Sequence, residues 1–416
     1  MNLEANTTAR TGWHPATALR LFAQAPHRLL FFVAAAAVLL SMSWWAATLV
    51  AARWPAFAMP AAPSPAGWAH AIAMQYQVLP LFVFGFLLTV MPRWTNTATY
   101  PARMYLPVSG VLLLGYLVTL VGLFGSPTLL ATGIVLTLVG WLNGLALLAL
   151  TVWRDAGRTY HAVACWCALA FGAIGLAMYA LFLHTGDARL AFAAIKIGTF
   201  GLLLPVYLTV CHRMIPFFSQ CVLTDYRVVR PAWALATLCA LALLHLLGEL
   251  AHAYAWLWPI DATIAALSAW LAWQWQPWRA RRIRLLLVLH WAFAWLPVAF
   301  ALYALQSAWF AATGTFVLGR APAHALAIGY FGSMLVAMVT RVTQGHSGRV
   351  LEMGPIAWTC FLAMQVVAGL RIGAELSADA PAWLAISALA WVAAFAPWVL
   401  RNAWIYLTPR ADGRPG

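Results

Sequence analysis

The chain has 416 residues, of which 64% are hydrophobic and 8% charged, and its mean hydropathy is +0.83. These values exclude an ordinary soluble domain and describe an all-α polytopic integral membrane protein with room for about a dozen transmembrane helices. The formal charge of +14 is no nucleic-acid signature, because every basic residue except Lys196 is an arginine and the arginines are spaced along span ends rather than gathered on one aromatic-lined face.

Residues 1–28 read as a basic cytoplasmic N-terminal tail containing Arg10, His14, Arg20 and Arg28. A twelve-helix transmembrane domain is expected over 29–407, and 408–416 form a short cytoplasmic tail. The first span is placed at 29–52, long enough to be a true span rather than a cleaved signal. A proline-rich loop over 53–67 leads to the second span, 68–91, which carries His70 and ends in PRWTNT. Spans follow at 104–124, 128–153 and 160–183. The sixth, 190–212, contains Lys196 and runs into HRMIPFFS, and the seventh, 232–254, carries His245, Glu249 and His252. The eighth, 259–276, is followed by WRARRIR, and the ninth, 285–307, holds His290. The tenth runs from His324 to Arg349, and the last two lie at 355–371 and 382–407.

The arginines test this count. With the N-terminus in the cytoplasm and strict alternation, nineteen arginines fall on cytoplasmic segments and four (Arg53, Arg189, Arg320, Arg371) on external ones. That bias supports twelve spans with both termini inside. All six cysteines lie in or beside apolar spans and form no CxxC pair, so they read as small core hydrophobes.

The tenth span, HALAIGYFGSMLVAMVTRVTQGHSGR, carries a histidine at each end. His324 and His346 are separated by roughly 33 Å of helix, about one hydrocarbon core. A weak repeat links it to the second span: His70-Ala-Ile-Ala-Met matches His324-Ala-Leu-Ala-Ile, and Arg93 with Thr95 matches Arg341 with Thr343.

Topology sorts the histidines by depth. His70, His184, His252 and His324 belong near the external face, and His161, His212, His290 and His346 in the cytoplasmic half. Ionisable groups at membrane depth need a partner or a cofactor, and histidine is a common ligand of haem iron and copper. The plainer reading of each is a core histidine bonded to a carbonyl or hydroxyl. His70, His290 and His324 stand out because small or aromatic neighbours leave room for a flat macrocycle, and His70 and His324 share a depth that would let them bind one metal. Arg93, Arg213, Arg341 and Arg349 sit in three motifs at cytoplasmic span ends. They read either as positive-inside anchors or as forked donors for haem propionates or another anion. Lys196, Glu249 and Arg371 are further charges in or near spans. No Walker loop, GxSxG, HExxH or dinucleotide fingerprint is present.

Several segments resemble the NnrS family. HALAIGYFGSMLVAMVTRVTQGHSGR is similar to its tenth-span signature, GFLLTVMPRWTN (85–96) to its Gly-Phe-Leu-Leu-Thr motif, RMIPFFS (213–219) to its Arg-x-x-Pro-x-Phe-Thr motif, and LHWAFAWLP (289–297) to its histidine-bearing ninth span. The resemblance implies a twelve-span protein of the bacterial inner membrane that contains haem, of the b type, and copper, and that takes part in the nitric oxide and nitrosative stress response. It implies cofactor binding by His70, His290, His324 and His346, with Arg93, Arg213, Arg341 and Arg349 beside them. Nitric oxide would then be the small-molecule partner, within a lipid environment and without nucleic acid. Two departures stand out. Ile72 and Ala73 replace a histidine and a glutamate of the family pattern, which bears on copper. His212 stands for a glycine and Ser347 for a threonine. The other function classes open to this sequence are a transporter with structural or substrate-binding histidines and a quinol-linked electron carrier with one haem near each face.

Overall fold

The computed structural model describes residues 20–54 and 57–413. Most of the expected N-terminal tail, including Arg10 and His14, lies outside the described residues. The helices are α1 Pro26–Arg53, α2 Ala66–Trp94, α3 Ala102–Gly122, α4 Pro127–Arg154, α5 Tyr160–Thr185, α6 Ala188–Gln220, α7 Ala232–Leu250, α8 Trp258–Gln274, α9 Arg284–Thr313, α10 Ala321–His346, α11 Pro355–Ala374 and α12 Ala380–Tyr406. Eleven of these described helices are long and apolar enough to cross a membrane. The twelfth, α8, has 17 residues, at the lower end of the ~17–25 a bilayer needs. The all-α polytopic reading of the sequence therefore holds. The described residues contain no strand.

Local chemistry sets the ends. Proline opens α1, α4, α11 and α12 at the first turn, where its missing N–H costs nothing. Ser126 and Asp379 cap α4 and α12 through their side chains. The sixth and ninth spans run on to Gln220 and Thr313, past the expected 212 and 307. The seventh span stops at Leu250, and His252 adopts a left-handed φ of 55° outside it. The short 3-10 turn Tyr254–Trp256 follows, which leaves His252 exposed and bonded to Tyr254 Oη at 2.8 Å.

The helices form three consecutive four-helix units, α1–α4, α5–α8 and α9–α12. In each unit the first helix packs on the second and the third on the fourth. The fourth helix of one unit packs on the first helix of the next, and α12 on α1 closes the ring. The second helices, α2, α6 and α10, are the three most buried spans and occupy the centre. Their outer surroundings show large apolar residues such as Leu117, Val121, Val139, Leu142 and Val366, as a lipid-facing surface requires. Where α3 meets α4, Gly115 faces Thr137 and Gly133 faces Thr119 so closely that a Cβ would strike backbone. Small residues at such contacts let membrane helices approach without a hydrophobic drive.

Each central helix contains a π-helical segment near the same end: Ala73–Val78 in α2, Ile197–Leu203 in α6 and Ala325–Gly332 in α10. In α2 and α6 a proline follows directly, Pro80 and Pro205, and its missing N–H removes one i→i−4 bond. In α10 the segment contains Gly329 and Gly332 instead. The match between the second and tenth spans thus has a counterpart in α6, where Lys196-Ile-Gly-Thr-Phe-Gly parallels Ala327-Ile-Gly-Tyr-Phe-Gly.

Candidate functional site

The π segments turn side chains toward neighbouring helices and tie the centre together. Gln75 Nε2 donates to Thr199 Oγ1 at 2.8 Å and Tyr76 Oη to the Ala194 carbonyl at 2.5 Å, joining α2 to α6. Tyr330 of α10 donates to Cys211 Sγ of α6 at 3.5 Å. Segments of this kind occur disproportionately at functional sites. With the cytoplasmic side assigned by the arginine bias, the π segments lie toward the outer end.

At that outer end α2 carries His70 and α10 carries His324. The two imidazoles and Arg371 of α11 lie within electrostatic range of one another. His324 Nδ1 donates to the Arg320 carbonyl at 3.0 Å, which orients the ring and leaves Nε2 for another partner. His70 stacks on Trp45 of α1, with centroids 4.6 Å apart and planes 7° from parallel. Its Nδ1 is buried with no hydrogen-bond partner. Arg371 pairs with Glu375 at 2.7 Å.

The inner end holds a second pair. His346 lies against His27 of α1, with ring centroids 4.5 Å apart. The His27 backbone N–H donates to Thr89 Oγ1 at 3.2 Å. Arg28, Arg93 and Arg410 are in electrostatic range of His27, and Arg93 and Arg410 of His346. Arg349 and Arg28 both bond to Thr408.

A third pair lies in the second unit, where His161 Nε2 and His212 Nδ1 share a hydrogen bond of 3.0 Å. His290 joins none of these pairs through a hydrogen bond or ring contact described here; it is buried, with Nε2 unpartnered. His184 and His252 are exposed. His245 belongs to a buried network: its Nδ1 meets Asp261 at 2.6 Å and its Nε2 faces Glu249 at 3.5 Å, while Lys196 pairs with Glu249 at 2.8 Å.

The three arginine motifs meet around the inner ends of the central helices. Arg213 lies over Trp94 at 4.7 Å, and Arg341 over Phe218 at 4.0 Å. Phe218 follows Arg213 by five positions just as His346 follows Arg341, and Arg93 faces His346. Two of the central helices thus set an arginine against a ring carried by another central helix. Between the inner and outer pairs lies an apolar cavity of about 60 Å³ lined by residues including Phe82, Val206 and Met338. Phe31 and Val342, each one turn from His27 and His346, border it.

Sequence reasoning selected His70, His290, His324 and His346 but not His27, Trp45, Arg28 or Asp261. His27-Arg28 opens the first span and could have been found by asking which residue shares a depth with His346. Among the described residues no group of three or more His, Cys, Asp or Glu side chains gathers as a metal ion's ligand set. The donors come in pairs.

These features define a polytopic membrane protein with paired imidazoles near both ends of a central three-helix core. A family model described as NnrS protein matches residues 21–410, nearly the whole chain, and the chain belongs to the NnrS family. That membership supports a role in the nitric oxide response at the level of the family. No curated protein matches the chain.

Proposed function

We propose that the chain is a haem-binding protein of the bacterial inner membrane, in which His70 and His324 are the residues that would hold one b-type haem. In the nitric oxide response it would act by ligand binding or redox change at that iron. The supporting observation is the outer imidazole pair. Two imidazoles from different helices lie in range of each other, one with a buried unpartnered nitrogen and the other oriented by a backbone carbonyl. No third protein donor joins them among the described residues. Two ligands suit an iron whose other four positions are filled by a porphyrin. Ile72 and Ala73 take the family's His and Glu positions, so no step is assigned to copper. The residues' own work is to hold the iron, with Trp45 fixing the plane of His70 and the Arg320 carbonyl fixing that of His324. The apolar cavity suits a small uncharged ligand such as nitric oxide better than an ion.

A second reading is favoured by the inner pair. His27 and His346, with Arg93, Arg341 and Arg349 at the same end, would hold a second haem and make the protein a quinol-linked electron carrier. The rings stand 4.5 Å apart, and two metal–nitrogen bonds of ~2.0–2.1 Å fit between them only if they separate.

Metal analysis and an optical spectrum of the purified protein test both readings. The expected result is a b-type absorbance that drops in His70→Ala and in His324→Ala. A further loss in His346→Ala would support the second haem. A colourless, metal-free preparation from haem-replete cells would overturn both.

A further inference from the structure

Arg28 and Arg349 are unusual among the arginines of this chain. Arg28 sits in the first turn of α1 and is only 2% exposed. Arg349 lies in the turn after α10, where Gly348 takes a left-handed φ of 67°. Both reach the same residue beyond α12. Arg28 Nη2 donates to the Thr408 carbonyl at 2.9 Å, and Arg349 Nη2 donates to Thr408 Oγ1 at 3.1 Å. In each guanidinium the other terminal nitrogen, Nη1, is buried and has no hydrogen-bond partner among the described residues. Two forks are thus pinned by one arm each and leave the other arm unused.

Positive charge also gathers here. Arg28 lies within electrostatic range of Arg349 and Arg410, and Arg349 within range of Arg401. Arg410 donates to the His346 carbonyl at 3.0 Å and takes Asp412 with both arms, at 2.9 and 2.6 Å. Glu352 lies in range of Arg401. Neither carboxylate bonds to Arg28 Nη1 or Arg349 Nη1. Buried guanidinium N–H groups without acceptors are expensive to keep, and a guanidinium fork matches the oxygens of a carboxylate or phosphate.

We propose that Arg28 and Arg349 form a clamp for one phosphate-type oxyanion at the inner face, with Thr408 holding both forks open. Free phosphate and the phosphate of an anionic lipid headgroup present the same chemistry, and the inner leaflet supplies the second. The clamp does not depend on the outer haem, and it competes with the second reading for Arg349.

The test uses the full-length protein in detergent, freed of bound lipid. Its thermal midpoint is followed against inorganic phosphate at constant ionic strength, with chloride as the balance. A second arm compares nanodiscs of phosphatidylcholine alone with nanodiscs containing phosphatidylglycerol. The expected result is a rise in midpoint with phosphate or with phosphatidylglycerol, lost in Arg28→Gln and in Arg349→Gln and kept in Arg53→Gln. A rise only in the lipid arm identifies the headgroup as the source, and a rise in both identifies a site open to the free ion. Arg349→Lys keeps the charge and loses the fork, so it keeps the fold and shows a weakened response. No rise in either arm, a rise that survives both glutamine substitutions, or Nη1 arms bonded to haem carboxylates in a holo structure would overturn the clamp.

Discussion

Two polar clusters occupy the two ends of the helical core, and they settle their charges differently. In the outer half of the second unit, Lys196 of α6, His245 and Glu249 of α7 and Asp261 of α8 form one chain of contacts, each charge beside its opposite. At the inner end, Arg28 and Arg349 bond to neutral acceptors and keep an arm unused. The first cluster supplies its own counter-charges and fastens three helices, although Asp261 Oδ2 has no hydrogen-bond partner among the described residues. The second leaves two guanidinium arms without an acceptor among the described residues. A buried charge in a membrane protein is thus informative less by its presence than by whether the chain itself supplies its counter-charge.

The largest effect that would break this contrast is in the outer network. Asp261→Ala leaves His245, fully buried, without its 2.6 Å partner. Removing one member of a buried ion pair costs about 3–5 kcal/mol, which should appear as a large fall in thermal midpoint or a loss of folded protein. Arg349→Gln in lipid-free, phosphate-free detergent should do less, because it removes a charge that bonds only to the neutral Thr408 hydroxyl among the described residues. If the two variants destabilise equally, the inner cluster is also self-sufficient and the contrast fails.

A middle-sized effect concerns the ring of arginines around the core. Arg341→Ala removes the guanidinium lying 4.0 Å over Phe218, and Arg213→Ala the one 4.7 Å over Trp94. Each contact is worth about 0.5–2 kcal/mol. A double-mutant cycle with Phe218→Leu should return a coupling energy in that range for Arg341. A coupling near zero would mean that these arginines are plain inner-face anchors, as their position in the sequence equally allowed.

The sequence made the spans legible because hydropathy and arginine bias are local quantities. A run of apolar residues declares itself whatever its neighbours are, and α8 was placed within two residues of its observed ends despite its 17 residues. Pairing is not local. His27 lies in no motif, and only the packing of α12 on α1 and the course of α10 bring it against His346. The three π segments left only a faint trace, a proline after two of them and two glycines within the third. The third member of the repeat was hidden because Lys196 stands in α6 where alanines stand in α2 and α10. His252 was drawn into the seventh span because nothing in Ala251-His252-Ala253 advertises a left-handed residue.

The smallest effect lies outside the membrane and marks the other limit of the contrast, a charge pair fully in water. Arg53 donates Nη2 to Asp379 Oδ2 at 2.7 Å and Nε to Oδ1 at 3.1 Å, joining the end of α1 to the cap of α12. The Arg53 hydrogen bond, followed by the Ala382 N–H, holds the Asp379 carboxyl below its ordinary value. A depressed carboxyl stabilises the fold above the unfolded value, about pH 4, and that contribution is lost as pH falls through the lower folded value. Both side chains are well exposed, so solvent screens the pair and its contribution is small. Asp379→Asn should therefore lower the thermal midpoint slightly at neutral pH, and the difference from the parent should shrink as pH falls below about 4 or as salt rises. A difference that persists at low pH and high salt would assign the loss to the α12 cap rather than to the ion pair, since Asp379 Oδ1 also accepts from the Ala382 N–H at 3.2 Å.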